Sequence, residues 1–407
     1  MLEGKHITFI SLNFHPENTA IGLYSTQLAQ YLQEQGAILD VITAFPYYPQ
    51  WKIADQYAQK PRFLKEQFED MTIYRYKQYV PAQPTFLKRV LHIMDFTLGS
   101  FVNIWKIKKC DLVISVIPFT SSALLGYIQK KRFGAKSWVH IQDFEFDAAF
   151  QSGLVQAKNE KKGLIYRFLM AVERSILNRA DTVSTISHLM MHTLQQKTKS
   201  ATYFLPNWID PTQINPLTSN QHPFLANEKY TLLYSGSIGD KQDWDFFMEL
   251  VSLLDFNHYH IIIVGDGAAR TSVEEKIFGH AGITLHPPVP YEELSDLLCS
   301  ADVHFLFQKA EVLDTVMPSK ILGMMASAKP SIITGHPKSE VNQVIKDSNG
   351  GYYVVDSKAQ SVLNCLEQLR TQPEMAVKMG TGARSYVIEH FSKEPILQRY
   401  VQKLGEL

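Results

Sequence analysis

The sequence predicts an α/β protein of two doubly wound domains facing a central cleft, on three observations. Short apolar runs rich in β-branched residues alternate with helical patterns of ten or more residues, which is the signature of βαβ units and parallel sheets. A Pro- and Asn-rich stretch, "LPNWIDPTQINPLTSNQHPF" (Leu205–Phe224), punctuates that alternation once, near the middle of the 407 residues. Apolar residues make up 45% and charged ones 20%, spread evenly, a composition that buries cores and excludes a disordered chain.

The first domain is expected over residues 1–205. Its strands are read from "HITFISLNF", "ILDVITAF", "DLVISVI", "SWVHIQDF" and "DTVSTIS". The first strand runs into "HPENTAIGLYSTQLAQYLQEQG", where Gly22 stands just before a helix with Leu23, Leu28, Tyr31 and Leu32 at helical spacing. A glycine there lets backbone approach a ligand at a helix N-terminus, or simply makes a strand-to-helix turn. The turn lacks the G-x-G-x-x-G of a dinucleotide site, so no nicotinamide or flavin is expected.

The second domain is expected over 206–390, from "YTLLYSGS", "HIIIVGDG", "ITLHPPV", "DVHFLF" and "PSIITG", and the helix of 391–407 could pack on either domain. Gly236, Ser237 and Gly239 form the turn after its first strand, with Lys241 close to the next helix start. A lysine there is either a solvated surface group or a positive charge that suits a diphosphate. Gly265 and Asp266 form the turn after the second strand. In "DTVMPSKILGMMASAKP", Pro318 fits a first helical turn and Pro330 a stop, so Ser319 and Lys320 open either an ordinary capped helix or an anion site. Two such openings in one domain favour a nucleotide diphosphate. P-loop and kinase spacings are missing, which argues against phosphoryl transfer from ATP.

Charge and cysteine usage bound the remaining classes. Lys plus Arg equals Asp plus Glu, so the net charge of zero gives no general attraction to nucleic acid. Cys110, Cys299 and Cys365 form neither a disulfide framework nor a zinc pattern, and the first residues lack the apolar core of a signal peptide. A cytoplasmic protein is expected. The apolar region 85–109 carries too many polar groups to span a bilayer; its aromatic and aliphatic residues with cationic ends suit a membrane surface or a buried helix pair.

Taken in order, "FPYYPQW" (Phe45–Trp51), "HIQDFEFDAAF" (His140–Phe150), "LPNWID", "YSGSIGDKQ" and "VMPSKILGMMAS" resemble the retaining GT-B glycosyltransferases of family 4, nearest the colanic-acid-type exopolysaccharide enzymes and their fucosyltransferase subgroup. The resemblance implies a nucleotide-diphosphate sugar as donor substrate, no cofactor and no metal, and a saccharide or polyprenyl-linked acceptor at the inner face of the membrane. It implies that Gly22 approaches the donor, that His140 points to the transferred sugar, that Lys241 neutralises the leaving diphosphate and that Glu340 supplies an acidic donor contact. His140 also reads as a satisfied core histidine. Asp143, Glu145 and Asp147 face the acceptor or solvate a loop. Asp243 and Asp245 match a metal-binding D-x-D pattern but are read as capping charge.

Thr315 and Gly323 stand where many family members carry paired glutamates, with Glu311 and Asp314 nearby, and Ser237 stands where an arginine is frequent. These departures keep the reading of a non-catalytic nucleotide-sugar-binding subunit, and the shared architecture keeps that of a nucleotide-sugar epimerase.

Overall fold

The computed structural model describes residues 2–18, 20–83, 85–144, 161–311, 318–356 and 358–407. They form two compact units, Met1–Pro206 with Pro395–Leu407, and Asn207–Glu394.

In the first unit the elements run β1 (His6–Ile10), α1 (Ala20–Glu34), β2 (Ile38–Ala44), α2 (Asp55–Ala58), β3 (Phe63–Phe68), β4 (Met71–Tyr76), α3 (Phe86–Ile104), β5 (Leu112–Ile117), α4 (Thr120–Phe133), β6 (Lys136–Ile141), α5 (Lys161–Leu177), β7 (Thr182–Thr185), α6 (His188–Lys197) and β8 (Ala201–Phe204). The strands pair in the order β3-β4-β2-β1-β5-β6-β7-β8. All neighbours are parallel except β3 and β4, which are antiparallel at the edge. The central strand β5, LVISVI, is buried throughout because helices cover both faces of such a sheet. Edge strand β3, FLKEQF, alternates exposed and half-buried residues, and so escapes a search for continuous apolar runs.

The second unit contains β9 (Tyr230–Ser235), α7 (Trp244–Leu253), β10 (Tyr259–Val264), α8 (Arg270–Ile277), β11 (Ile283–His286), α9 (Leu294–Cys299), β12 (Val303–Phe307), α10 (Ser319–Ala326), β13 (Ser331–Thr334), α11 (Glu340–Ser348), β14 (Gly351–Val354), α12 (Ala359–Thr371) and α13 (Pro373–Phe391). Its parallel sheet has the order β11-β10-β9-β12-β13-β14. The last helix, α14 (Lys393–Gly405), belongs mostly to the first unit, where buried Tyr400 meets the ring of Trp138 edge-on at 4.8 Å.

Candidate functional site

Strand order decides where a ligand can sit. The chain leaves β9 toward β10 on one side, and leaves β12 toward β13 on the other, so a crevice opens between the carboxyl ends of neighbouring β9 and β12. Two pieces of chain meet there: the turn of residues 236–243 and the first turn of α10.

The first turn is built by close backbone packing. Gly236 has a φ of +132°, which favours glycine, and its N–H donates to Val264 O at 2.9 Å. A Cβ on Gly265 would lie 1.9 Å from Gly236 O, and one on Gly267 would lie 2.3 Å from Ile238 O. Gly239 donates its N–H to Gln242 Oε1 at 3.0 Å, while its carbonyl accepts from Trp244 Nε1 at 3.1 Å. Gly265 N–H donates to His286 O at 3.1 Å, and Asp266 takes part through its carbonyl, which accepts from Ile238 N–H at 2.9 Å. The amides of Gly236, Gly239 and Gly265 thus have partners within the fold, and the glycines shape the turn.

The structure brings a lysine to the turn. Lys320, in the first turn of α10, places Nζ 3.2 Å from Tyr234 Oη, 4.8 Å from that ring's centroid and 3.3 Å from where a Gly236 Cβ would stand. Tyr234 ends the strand on the same spot, and its hydroxyl donates to Ser237 O. Burial pushes that phenol's pKa up, so it stays neutral. The tyrosine thus ties lysine, turn and strand together; within an apolar strand run nothing distinguished it. Ser319 and Ser237 are exposed beside it. Pro318 occupies the N-cap position rather than the first helical one, with Ser319 the first helical residue.

Lys241 lies three residues before α7 begins, exposed, with its carbonyl accepting from Lys309 N–H at 3.0 Å. Asp243 caps α7 by accepting from Phe246 N–H at 3.1 Å, and Asp245 pairs with Lys276 at 2.6 Å, so both carboxylates have structural partners. Glu340 is the first residue of α11, half-buried, behind the N-cap Ser339. Gly323 is buried, and a Cβ there would meet Leu298 Cδ1 at 3.2 Å and Ile214 Cδ1 at 3.4 Å. Its bareness therefore serves apolar packing; a glutamate there would push into hydrocarbon. Glu145, Asp147, Asp314 and Thr315 lie outside the described residues, and Glu311 is exposed.

The first unit has its own switch point between β1 and β5. The loop after β1 holds Glu17, a buried carboxylate that sequence reasoning missed. It accepts from Asn13 Nδ2 at 2.8 Å, Tyr47 N–H at 2.7 Å and Tyr48 N–H at 2.8 Å, and so pins the "FPYYPQW" loop. Burial raises its pKa against those three donors. Gly22 proves to be inside α1, and a Cβ on it would stand 2.6 Å from Glu17 O. That contact requires a glycine here.

His140 is 2% exposed near the end of β6. Its Nε2 faces the amide nitrogen of Gln142 at 2.9 Å, a donor, so the ring proton sits on Nδ1 and is donated to Ser184 Oγ at 2.9 Å. Burial depresses its pKa to about 3. It is neutral and hydrogen-bonded through both ring nitrogens, as the reading of a satisfied core histidine expects. Asp143, two residues beyond β6, is half-buried in a bend and has a partner.

In the second unit His304 is likewise buried and depressed to about 3, by desolvation and then by Lys329. Both histidines have folded pKa values below the ordinary 6.5, so the unfolded chain binds protons that the folded chain refuses. Their contribution is present above pH 6.5 and is lost as pH falls toward 3, at roughly 1.4 kcal/mol per pH unit for each ring. Replacing His304 with leucine is expected to flatten the acid dependence of the second unit's urea midpoint between pH 6.5 and 5 by about one proton. Parallel pH profiles for the two proteins would contradict the assignment.

Residues 19–208 match the glycosyl transferase 4-like domain, and residues 229–372 match the glycosyl transferases group 1. A protein of Escherichia coli (strain K12) assigned to colanic acid biosynthesis as the glycosyl transferase WcaI is 32% identical over 98% of this chain and 99% of its own. Sucrose-phosphate synthase from Thermosynechococcus elongatus superposes with a TM-score of 0.73 at 14% identity, over 99% of this chain and 98% of that one. Anabaena HepE, solved with UDP and glucose, gives 0.69 at 11% identity over 98% and 99%. At such identities the two superpositions speak for fold alone. With a full-length relative at 32% identity and both domain models matched in order, the chain belongs to the GT-B glycosyltransferases of group 1 and family 4, alongside the colanic acid biosynthesis glycosyl transferase.

Proposed function

We propose that this protein moves a sugar from a nucleotide-diphosphate donor to a saccharide acceptor carried on a polyprenyl lipid, on the cytoplasmic side of the membrane, in the assembly of a surface polysaccharide. The observation that carries this reading is the meeting of Lys320, Tyr234 and the glycine-shaped turn at the β9/β12 switch point, a place built for an anion. The E. coli relative's assignment to colanic acid and the UDP and glucose held by HepE agree with it.

In the reaction the bond from the anomeric carbon to the diphosphate oxygen breaks, and the acceptor oxygen bonds to that carbon on the same face. The acceptor's proton passes to the departing phosphate oxygen. His140 is buried with both ring nitrogens engaged by Ser184 and Gln142, which leaves the phosphate as the better proton acceptor. Negative charge grows on the diphosphate as the bond lengthens, and the Lys320 ammonium, with Lys241 as second cation, meets it. Charge neutralisation by lysines makes a metal unnecessary.

The test incubates the protein with UDP- and GDP-sugars, with and without a polyprenyl-linked acceptor. Acceptor-dependent nucleotide release with the anomeric configuration kept is expected. Isomerised donor in the absence of acceptor would instead identify an epimerase. Binding without turnover would favour a non-catalytic subunit, the reading supported by Gly323 in place of a glutamate.

A further inference from the structure

Helix α3 is apolar on two opposite sides, and among the described residues only one side has a partner in the fold. Its inner side is fixed on the sheet: Phe96 and Ile104 are buried, and a Cβ on Gly99 would stand 2.1 Å from the ring of Tyr76. On the outer side Leu87, Leu91, Met94, Leu98, Phe101 and Trp105 recur at spacings of four and three. At 3.6 residues per turn they fall within an arc of roughly 80°. Leu87 is 67% exposed, Leu98 66%, Met94 55% and Trp105 53%, a continuous apolar stripe along the whole helix. Monomeric soluble proteins seldom leave such a stripe uncovered.

The charges around the stripe identify what covers it. Exposed Lys88 and Arg89 stand at its start; exposed Lys106, Lys108 and Lys109 stand at its end. Arg132 of α4 stacks over Trp105 with its guanidinium carbon 4.9 Å from a ring centroid. The helix's one carboxylate, Asp95, is turned to the fold, accepting from Tyr76 Oη at 2.8 Å, Tyr79 N–H at 2.6 Å and Arg62 Nη2 at 3.1 Å. A second copy laid on this face would set cationic end against cationic end in either orientation, a repulsion that Asp111, 4.0 Å from Lys109, offsets only in part. An anionic surface suffers no such penalty. Among the described residues no helix is long and apolar enough to cross a membrane.

We propose that α3 docks the first unit on an anionic lipid bilayer, lying flat in the headgroup layer with the stripe toward the acyl chains and the terminal cations among the lipid phosphates. The inference is independent of the transferase reading, because it uses neither the nucleotide turn nor Lys320. The test is sedimentation of the full chain with vesicles of phosphatidylcholine alone or mixed with phosphatidylglycerol. The protein is expected to sediment with the mixed vesicles and to stay in solution with phosphatidylcholine. The pair L98E/F101E, on exposed side chains, is expected to lower vesicle affinity by more than about tenfold, and K108E/K109E by about tenfold or more. Far-ultraviolet circular dichroism and the thermal midpoint should be unchanged in both variants, showing that they fold. No sedimentation of the wild type, or equal sedimentation of the variants, would overturn the proposal. So would light scattering that finds a dimer dispersed by L98E/F101E, which would give the face to a second copy.

Discussion

Lys320→Ala is expected to lower sugar transfer by about 10²–10³-fold while weakening nucleotide binding far less. The asymmetry follows from where charge appears. In the ground state the diphosphate is already charged and shares its interactions with solvent and neighbouring dipoles; in the transition state one oxygen gains the bonding electrons of the departing sugar. An ammonium held in place by Tyr234 and by the open space over Gly236 meets that charge without reorganising. Lys320→Met, which keeps the stem on the tyrosine ring but removes the charge, should behave like the alanine variant in turnover and better in thermal stability. Lys241→Ala is expected to reduce turnover as well, and the double variant to lose less than the product of the single losses if both ammonium groups face one diphosphate. The measurement is kcat and KM for the donor found in the nucleotide-sugar screen, beside calorimetric nucleotide affinity. Unchanged turnover in Lys320→Ala with a lowered melting temperature would make the lysine a structural group and remove it from the mechanism.

The contrast between these two lysines shows what the sequence made legible. The parallel core strands were readable because a strand covered by helices on both faces is apolar at every position, as in LVISVI of β5 and VHFLF of β12. The helix openings at Asp243 and Pro318 were readable because capping chemistry is local. Less legible was everything set by pairs distant in the chain. Tyr234 and Lys320 are 86 residues apart, and only strand order makes them neighbours. Glu17 and the Tyr47 amide, 30 apart, form a buried pairing whose carboxylate looks like any surface glutamate in the sequence. Arg75 is wholly buried and reaches Glu66, Ala44 O and His15 O, yet an arginine in a strand reads as an outward-facing residue. Gly22 and Gly323 do permit close approach, by Glu17 in the first case and by Leu298 and Ile214 in the second, pairings that the local sequence does not show.

Gly265→Ala is expected to damage the second unit severely. An added Cβ would stand 1.9 Å from Gly236 O and 3.0 Å from its carbonyl carbon, and neither can yield as a flexible side chain does. Gly236 N–H is bonded to Val264 O at 2.9 Å and Gly265 N–H to His286 O at 3.1 Å, so both sides of the contact are tied into the sheet. Overpacking into a fixed core costs about 1–3 kcal/mol and more against backbone; a loss above roughly 3 kcal/mol is expected here, with nucleotide affinity falling because the turn carrying Ser237 must move. Gly279→Ala separates this packing effect from glycine's conformational freedom. Gly279 has a φ of +83° and nothing within 4 Å, so alanine there suffers only the left-handed backbone penalty of about 1–2 kcal/mol. Urea transitions of the second unit, followed by fluorescence, should place Gly265→Ala below Gly279→Ala and both below the wild type. If Gly265→Ala unfolds no earlier than Gly279→Ala, the two turns do not press together as described, and the anion site proposed at the β9/β12 switch point loses its physical basis.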